Sequence, residues 1–362
     1  MDGFKGGTDD GLIASTYYRY SAQLVAKAAR VLGKLEEAEK YEILADKILD
    51  ELRQEYFSPL GRCCIDTQTA YLLALHHGLG VDRARVVDAL VHKLKVNNGM
   101  LQTGFVGTPL LCKELTNAGK IEQAFALLLN EEYPGWLYEV KLGATTIWER
   151  WNSVLADGSI SPNGMNSLNH YSYGAIVEWI YAYVAGIRQD RDVPGFRKVI
   201  LSPLVNWSLG WVDAKYQSAS GTWRSAWKII DENHLEIHVE VPFGCVAELK
   251  LPFAADNAYE QNGNSVVTKA KDGKYYLTAG DYEFYYETTK PLRKIYHTGM
   301  TMEELMGNPK VQEFLLKEIP MIEQVPPSLY GMSMWQIIAM YDSDTLNMEI
   351  LGTLDQKMAE LV

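Results

Sequence analysis

One stretch of the chain, residues 133–173, concentrates side chains that could bind and hydrolyse a sugar. Glu149 and Arg150 stand between two tryptophans, and His170 follows in an Asn-His-Tyr run. Aromatic faces pack on the apolar C–H faces of a pyranose, and a carboxylate in an aromatic wall is desolvated, so its pKa can rise toward the working pH. The stretch therefore favours a carbohydrate site, although a Trp-rich core with a surface Glu149–Arg150 pair would use the same residue types.

The composition is that of a globular protein with two or three domains. The chain has 362 residues, of which 47% are hydrophobic and 22% are charged, and this length exceeds one ordinary domain. Its formal net charge of −12 argues against nucleic acid and anionic membranes as partners, because both are bound through basic patches. A neutral substrate fits this charge.

The cysteines and the apolar runs predict a cytoplasmic protein. Four cysteines occur, at positions 63, 64, 112 and 245, without the spacing of a metal site, so we expect reduced thiols and no metal or other cofactor. The beginning MDGFKGGTDDG lacks the basic-then-apolar pattern of a signal peptide. No apolar run approaches the ~18 residues that span a membrane.

Residues 10 to about 190 predict pairs of helices in two layers. Apolar helices alternate with amphipathic ones, which favours an inner and an outer layer arranged as an open solenoid or a closed ring. No strict repeat recurs, and this weakens the solenoid. The last inner helix is predicted over 165–186. Five polar, Gly- or Thr-rich segments are predicted to begin inner helices and to converge on a pocket: GGTDDG, DTQTAY, LQTGFVGT, LGATTIWERW and MNSLNHYSYG.

Beyond Pro194 the hydrophobic pattern changes from helical to alternating. Six to eight strands over about 95 residues predict a β-sandwich. Its aromatic face could bind sugar, although packing against the helices is favoured. The Met-rich, Pro-broken end predicts a small helical module or a dimer contact. The predicted domains are therefore 1–190, 191–289 and 290–362, and the predicted fold class is mainly α with a β domain.

Several segments together resemble the bacterial α-L-rhamnosidase family, glycoside hydrolase family 78. They include STYYRYSAQLVAKAARVLG, LQTGFVGTPLL, YPGWLYEV, ATTIWERW, NHYSYGAI and PGFRKVILSP, and the likeness runs in order over about residues 8–250. The resemblance implies an (α/α)₆ toroid of helical hairpins followed by a β-sandwich. It also implies hydrolysis of terminal α-L-rhamnose from a glycoside or oligosaccharide, with inversion at the anomeric carbon.

The resemblance also assigns roles to residues of this chain. Glu149 in TTIWERW matches the catalytic base, which takes a proton from the attacking water. His170 matches a residue that contacts the bound rhamnose. Arg150 would hold the base by charge or form a scaffold salt bridge. The residues implied to line or adjoin the site are Trp136, Trp148, Arg150, Thr103 and Gly104.

The family's catalytic acid lies in a carboxylate-rich motif N-terminal to everything in this chain. Carboxylates near helix starts (Asp9, Asp10, Asp66 and Glu139) are better explained as N-caps or first-turn charges. We therefore expect the later part of a catalytic domain, poorly active alone and needing an N-terminal fragment or a second copy. The alternative is a non-catalytic, rhamnose-binding pseudoenzyme or subunit.

Overall fold

The protein consists of two compact units, Met1–Val184 and Ala185–Val362, which are described separately. A computed structural model describes the following residues of the chain: 7–254, 259–260, 270, 272–341 and 348–361. Among these residues, no helix combines the length and the apolar character needed to cross a bilayer. The thiols of Cys63, Cys64, Cys112 and Cys245 are unbridged.

The first unit is a row of helix pairs. Its α-helices, within the described residues, are α1 Asp10–Val31, α2 Leu35–Tyr56, α3 Gln68–His76, α4 Arg83–Val96, α5 Thr108–Asn117, α6 Ile121–Leu128, α7 Trp136–Lys141 and α8 Ile176–Trp179. A 3₁₀ turn, Ser172–Ala175, precedes α8, and a π-helical turn, Ile180–Val184, follows it. Helices α1 and α2, α3 and α4, and α5 and α6 pack as pairs, while α1, α3, α5 and α8 contact one another in that order. The prediction of an inner and an outer layer is confirmed.

The inner layer is defined most clearly by α3. Residues 68–75 of α3 are all buried, whereas α4 buries only one stripe, as expected for an inner and an outer helix. The Thr67 hydroxyl caps α3 by accepting from the Ala70 N–H. The interpretation of Asp66 as a cap or first-turn charge is therefore wrong. Its carboxylate instead accepts from the Tyr71 hydroxyl and the Lys93 ammonium.

Three arginines fix the C-terminal end of α3. Arg19 of α1, Arg53 of α2 and Arg83 of α4 each donate to a backbone carbonyl oxygen within residues 75–79, at 2.6, 2.9 and 3.1 Å. Cations and donors at this position satisfy the carbonyls that the last helical turn leaves unpaired. The pairs α1–α2 and α3–α4 are therefore joined by polar contacts as well as by packing.

Helix α1 leaves an apolar face uncovered. Asp9 caps the N-terminus of α1 by accepting from the Leu12 N–H at 2.9 Å, which confirms the predicted N-cap. The other face carries side chains such as Tyr18, Leu24 and Val31, which are 57, 46 and 87% exposed. An inner helix normally buries this surface against a neighbour, so α1 forms an open edge of the helical unit.

Two predicted helix starts are wrong. No helix follows LGATTIWERW, because residues 142–171 form turns and short bridges, and the last helical segment begins at Ser172 rather than near 165. The Ser167 hydroxyl donates to the Asn169 carbonyl and accepts from the Asn169 N–H, both at 3.1 Å. Such local side-chain bonds give the backbone an alternative to the helix.

The second unit contains the predicted β-sandwich. Its strands, within the described residues, are β1 Ile187–Gln189, β2 Lys198–Leu201, β3 Trp211–Ser218, β4 Gly221–Ile229, β5 His234–Val241, β6 Val246–Leu249, β7 Tyr259–Glu260, β8 Tyr275–Leu277 and β9 Gly280–Glu287. They form a four-stranded sheet in the order β1-β2-β6-β8 and a five-stranded sheet in the order β3-β4-β5-β9-β7. Trp223 and Trp227 of β4 are 0 and 1% exposed, and they form part of the core.

The end of the chain forms helices with a core of their own. They are α9 Met302–Met306, α10 Pro309–Glu318, α11 Met334–Tyr341 and α12 Met348–Leu361. Residues such as Met302, Leu315 and Met358 are buried together. The start of the last predicted helix, residues 344–347, lies outside the described residues. The division of the chain at 190 and 290 stays a prediction.

Candidate active site

The two residues assigned the main roles, Glu149 and His170, lie on paired segments. The Glu149 N–H donates to the Ser167 carbonyl at 2.9 Å, and the His170 N–H donates to the Ile147 carbonyl at 2.8 Å. The Thr146 hydroxyl also donates to the Leu168 carbonyl. Residues 146–149 and 167–170 therefore run side by side, so the candidate base and the candidate substrate contact lie on adjacent backbone segments.

The Glu149 carboxyl is oriented by a second contact with the same neighbour. Its Oε2 accepts from the Ser167 N–H at 2.8 Å, while the side chain remains half-buried. A carboxylate has two oxygens and about four acceptor positions. Oε2 therefore fixes the orientation of the carboxyl, and the role of Glu149 as the base stays a prediction.

His170 is held between a backbone donor and an aromatic ring. Its Nδ1 accepts from the Ser172 N–H at 3.3 Å, which assigns the donor role to Nε2. Its ring stacks on Phe105, with centroids 4.9 Å apart and planes 15° apart. Phe105 is 43% exposed and was not singled out from the sequence, although it lies inside LQTGFVGT. An exposed aromatic ring beside a polar donor is suited to a pyranose.

Thr103 and Gly104 shape the loop that carries Phe105. The Thr103 and Thr108 hydroxyls are hydrogen-bonded at 2.8 Å, and the Gly104 carbonyl accepts from both the N–H and the hydroxyl of Thr108, at 3.0 and 2.9 Å. Thr103 is buried. Their contacts fix the start of α5, and their predicted position near the substrate stays a prediction.

Trp136 and Trp148 lie in the interior, 6 and 4% exposed. The Trp136 Nε1 donates to the Tyr173 carbonyl at 2.9 Å, and its ring meets Trp151 edge-on at 5.2 Å. Trp151 in turn stacks on Tyr173 at 3.9 Å. This aromatic cluster connects Trp151, which lies two residues after Glu149, to Trp136 and Tyr173. The predicted role of Trp136 and Trp148 as walls of the site stays a prediction.

Arg150 is attached to the loop that follows it. Its Nε donates to the Met165 carbonyl at 3.3 Å, and its N–H donates to the Ser153 hydroxyl at 3.2 Å. These bonds draw residues 150 and 165 together and bring the chain back toward Ser167. The two predicted roles for its charge, restraint of Glu149 or a scaffold ion pair, stay predictions.

The buried carboxyl of this region is Glu139. Its predicted place in the first turn of a helix is confirmed, but its side chain is only 2% exposed. Its Oε2 accepts from the Trp148 N–H at 3.4 Å, and its Oε1 has no hydrogen-bond partner within the described residues. Burial raises the pKa of Glu139 to about 7. Its spacing of three residues from Trp136 was the available signal, because residues i and i+3 share a helix face.

Replacing Glu139 with Gln should change how stability depends on pH. The pKa of about 7 in the folded state exceeds the ordinary value, so the protonated form is stabilised and its contribution is lost as pH rises through 7. We expect the wild type to lose about 2–3 kcal/mol relative to Glu139→Gln between roughly pH 5 and pH 8. Urea unfolding followed by circular dichroism measures this difference. Parallel pH profiles for the two proteins would contradict the expectation.

Comparisons with known proteins agree over both units. Residues 1–184 match the model of the bacterial alpha-L-rhamnosidase 6 hairpin glycosidase domain, and residues 186–265 match that of the bacterial alpha-L-rhamnosidase C-terminal domain. An alpha-L-rhamnosidase of Alteromonas sp. (strain LOR) is 36% identical over 288 residues, which is 77% of this chain and 30% of the relative. One of Formosa agariphila is 37% identical over 292 residues, or 77% of this chain and 31% of the relative.

A solved structure shares the fold. Streptomyces avermitilis alpha-L-rhamnosidase complexed with L-rhamnose superposes with a TM-score of 0.69 and 33% identity, over 76% of this chain and 26% of that one. The chain spans about 30% of the length of these curated relatives. A six-hairpin domain followed by a β-sandwich confirms the predicted fold class. The chain therefore belongs to the bacterial α-L-rhamnosidase family of glycoside hydrolases.

Proposed function

We propose that this chain provides the base-bearing part of an inverting α-L-rhamnosidase site. The observation that supports the proposal best is the pairing of residues 146–149 with 167–170, which places Glu149 and His170 on adjacent backbone segments. The substrate would be a glycoside or oligosaccharide with a terminal α-L-rhamnose. The S. avermitilis relative was solved with L-rhamnose bound, and this favours the same sugar here.

The chemistry follows from the positions of these groups. Water attacks the anomeric carbon while Glu149 Oε1 takes its proton, so the new C–O bond forms on the face opposite the leaving group. His170 Nε2–H donates to a sugar hydroxyl, and the Phe105 ring packs beside the sugar. In an inverting site the base and the acid stand roughly 6.5–9.5 Å apart, which leaves room for the water.

The general acid would come from outside the described residues. Asp9 accepts from the Leu12 N–H and the Tyr56 hydroxyl, and Asp66 is bound to Tyr71 and Lys93. Glu139 is closed off from solvent. Asp9 and Asp66 are therefore held by structural contacts and Glu139 is shielded from solvent, so none of the three is a good candidate to protonate a leaving group.

A partner segment would supply both the acid and a cover for α1. The uncovered apolar face of α1 and the fraction of the relatives that the chain spans support a preceding helical segment as this partner. A second copy of the chain is the alternative, and sedimentation measurements distinguish the two. A cytoplasmic location remains part of the proposal, because the cysteines are unbridged and reduced thiols are typical of that compartment.

Two substrates with different leaving groups test the proposal. Fluoride leaves without protonation, whereas methoxide needs a general acid. The purified chain should therefore release fluoride from α-L-rhamnosyl fluoride but hydrolyse methyl α-L-rhamnoside slowly. The ratio of the fluoride rate to the methyl glycoside rate should exceed that of a complete family enzyme by a factor on the order of 10²–10⁴. If the ratio of the two hydrolysis rates were the same for the chain and for the complete enzyme, this chain would hold its own acid.

The second candidate function is rhamnose binding without hydrolysis. It is favoured by the structural roles of Asp9, Asp66 and Glu139 described above. It predicts heat of binding with L-rhamnose, weakened by His170→Ala, and no fluoride release above the spontaneous rate. Calorimetry together with the fluoride assay separates this function from the first one.

A further inference from the structure

The open face of the five-stranded sheet contains a depression that belongs to no site described above. Side chains of β4 alternate, so that Trp223, Ser225 and Trp227 are buried while Arg224, Ala226 and Lys228 point to the other face. Ala226 lies opposite Asp213 on β3 and His238 on β5. The Ala226 side chain is a single methyl group, shorter than the side chains around it, and the space above this methyl group forms the depression.

The depression has the size of a small-molecule site and a lining of one exposed aromatic ring and several polar side chains. Its volume is about 350 Å³, at the lower end of the range for such sites. It is bounded by Trp211, Asp213, Arg224, Lys228, Glu236 and His238. Two carboxylates and two cations balance each other, so the lining favours a neutral ligand over a phosphate or another anion.

One wall is fixed by a continuous chain of ion pairs and hydrogen bonds. Arg224 binds the Asp213 carboxylate through two bonds of 2.9 and 2.8 Å, and its Nη1 lies 2.9 Å from His238 Nδ1. A guanidinium has no lone pair to offer, so Nδ1 accepts and His238 Nε2–H donates to Asp281. Because four strands contribute to this chain, its polar groups are held in place before any ligand arrives.

The wall at the other end is an exposed indole. Trp211, at the beginning of edge strand β3, is 65% exposed. A sheet face in water needs no such aromatic ring, because charged side chains are enough to solvate it. Large aromatic rings left in water beside fixed polar groups are typical of binding surfaces. An indole face packs on the C–H face of a pyranose, while planar Asp and Arg groups can bind pairs of hydroxyls.

We propose that this depression binds one pyranose ring of a neutral carbohydrate, with Trp211 against the ring face and Asp213 and Arg224 on its hydroxyls. The site is separate from the Glu149 segment and does not depend on hydrolysis. It would hold a sugar chain on the second unit, with a dissociation constant on the order of millimolar for a single ring.

Fluorine NMR of the full chain, labelled with 5-fluorotryptophan, tests this site directly. The chain has nine tryptophans, and Trp211→Phe identifies the resonance of Trp211. Titration with L-rhamnose, D-glucose, D-galactose and D-mannose, each to about 100 mM, should move the Trp211 resonance with at least one sugar. No movement with any of the four would overturn the proposal. So would movement confined to Trp136 or Trp148, an outcome that would instead support the function proposed for the first unit.

Two variants distinguish a specific binding site from a non-specific effect of the added sugar on the tryptophan resonances. Ala226→Leu fills the depression without removing a polar group, and it should raise the dissociation constant at least about tenfold. Trp207→Ala removes an indole of the same unit that is 38% exposed and lies outside the depression, and it should leave the Trp211 response unchanged. Thermal unfolding verifies that both variants fold. A Trp211 response that survives Ala226→Leu would show that no site exists here.

Discussion

Replacing Glu149 with Gln should lower the rate of fluoride release from α-L-rhamnosyl fluoride by roughly 10²–10⁴-fold. The amide keeps the size of the carboxyl and can still accept from the Ser167 N–H, as Oε2 does at 2.8 Å, but it cannot take a proton from water. Binding of L-rhamnose, measured by calorimetry, should change much less than the rate. The loss is therefore expected in kcat rather than in KM.

The matched control is Glu132→Gln. Its side chain is 73% exposed and interacts with Lys141, so the same chemical change is made away from the paired segments. Fluoride release by this variant should equal that of the wild type. A similar loss in both variants, or an unchanged rate in Glu149→Gln, would remove Glu149 from the role of base.

Replacing Trp136 with Ala should cost the first unit about 3–5 kcal/mol of stability. The indole is 6% exposed, and its Nε1–H binds the Tyr173 carbonyl. The substitution would leave a cavity beside Trp151 and remove one of the two donors to the Tyr173 carbonyl, which also accepts from the Ile176 N–H. Trp136→Phe restores most of the volume but not the hydrogen bond, and it should cost about 1–2 kcal/mol.

Urea unfolding followed by circular dichroism at the helical band measures these free energies. Tyr18→Ala is the control, because its ring is 57% exposed on α1 and surface changes usually stay within about 0.5 kcal/mol. If Trp136→Ala unfolds like the wild type, Trp136 does not anchor the core. Its predicted position as a wall of the site would then be the better explanation.

Helix pairs were predictable from local signals, because caps and helical periodicity depend on residues that are close together in the sequence. Asp9 caps α1, and α3 is buried along its length, as the apolar sequence indicates. The segment after α7 was not predictable in this way. Its conformation depends largely on bonds between residues far apart in the sequence, such as Glu149 with Ser167, eighteen positions apart, and local patterns do not encode such pairing.

The burial of single polar side chains was the least accessible property. Glu139 lies in the first turn of a short helix, and that position usually indicates a solvated side chain. Its burial follows from the packing of Trp136 and Trp148 around it, which is a tertiary effect. Phe105 was overlooked for a related reason, since its stacking on His170 joins two loops that are far apart in sequence.

The anomer first released from α-L-rhamnosyl fluoride tests the central claim most directly. Proton NMR during the first minutes of the reaction, before mutarotation, distinguishes α- from β-L-rhamnose. A water activated by Glu149 attacks the face opposite fluoride, so we expect β-L-rhamnose first and no enzymatic signal with Glu149→Gln. Release of α-L-rhamnose first, or β-L-rhamnose formed equally fast by the variant, would contradict the assignment of Glu149 as the base of an inverting site.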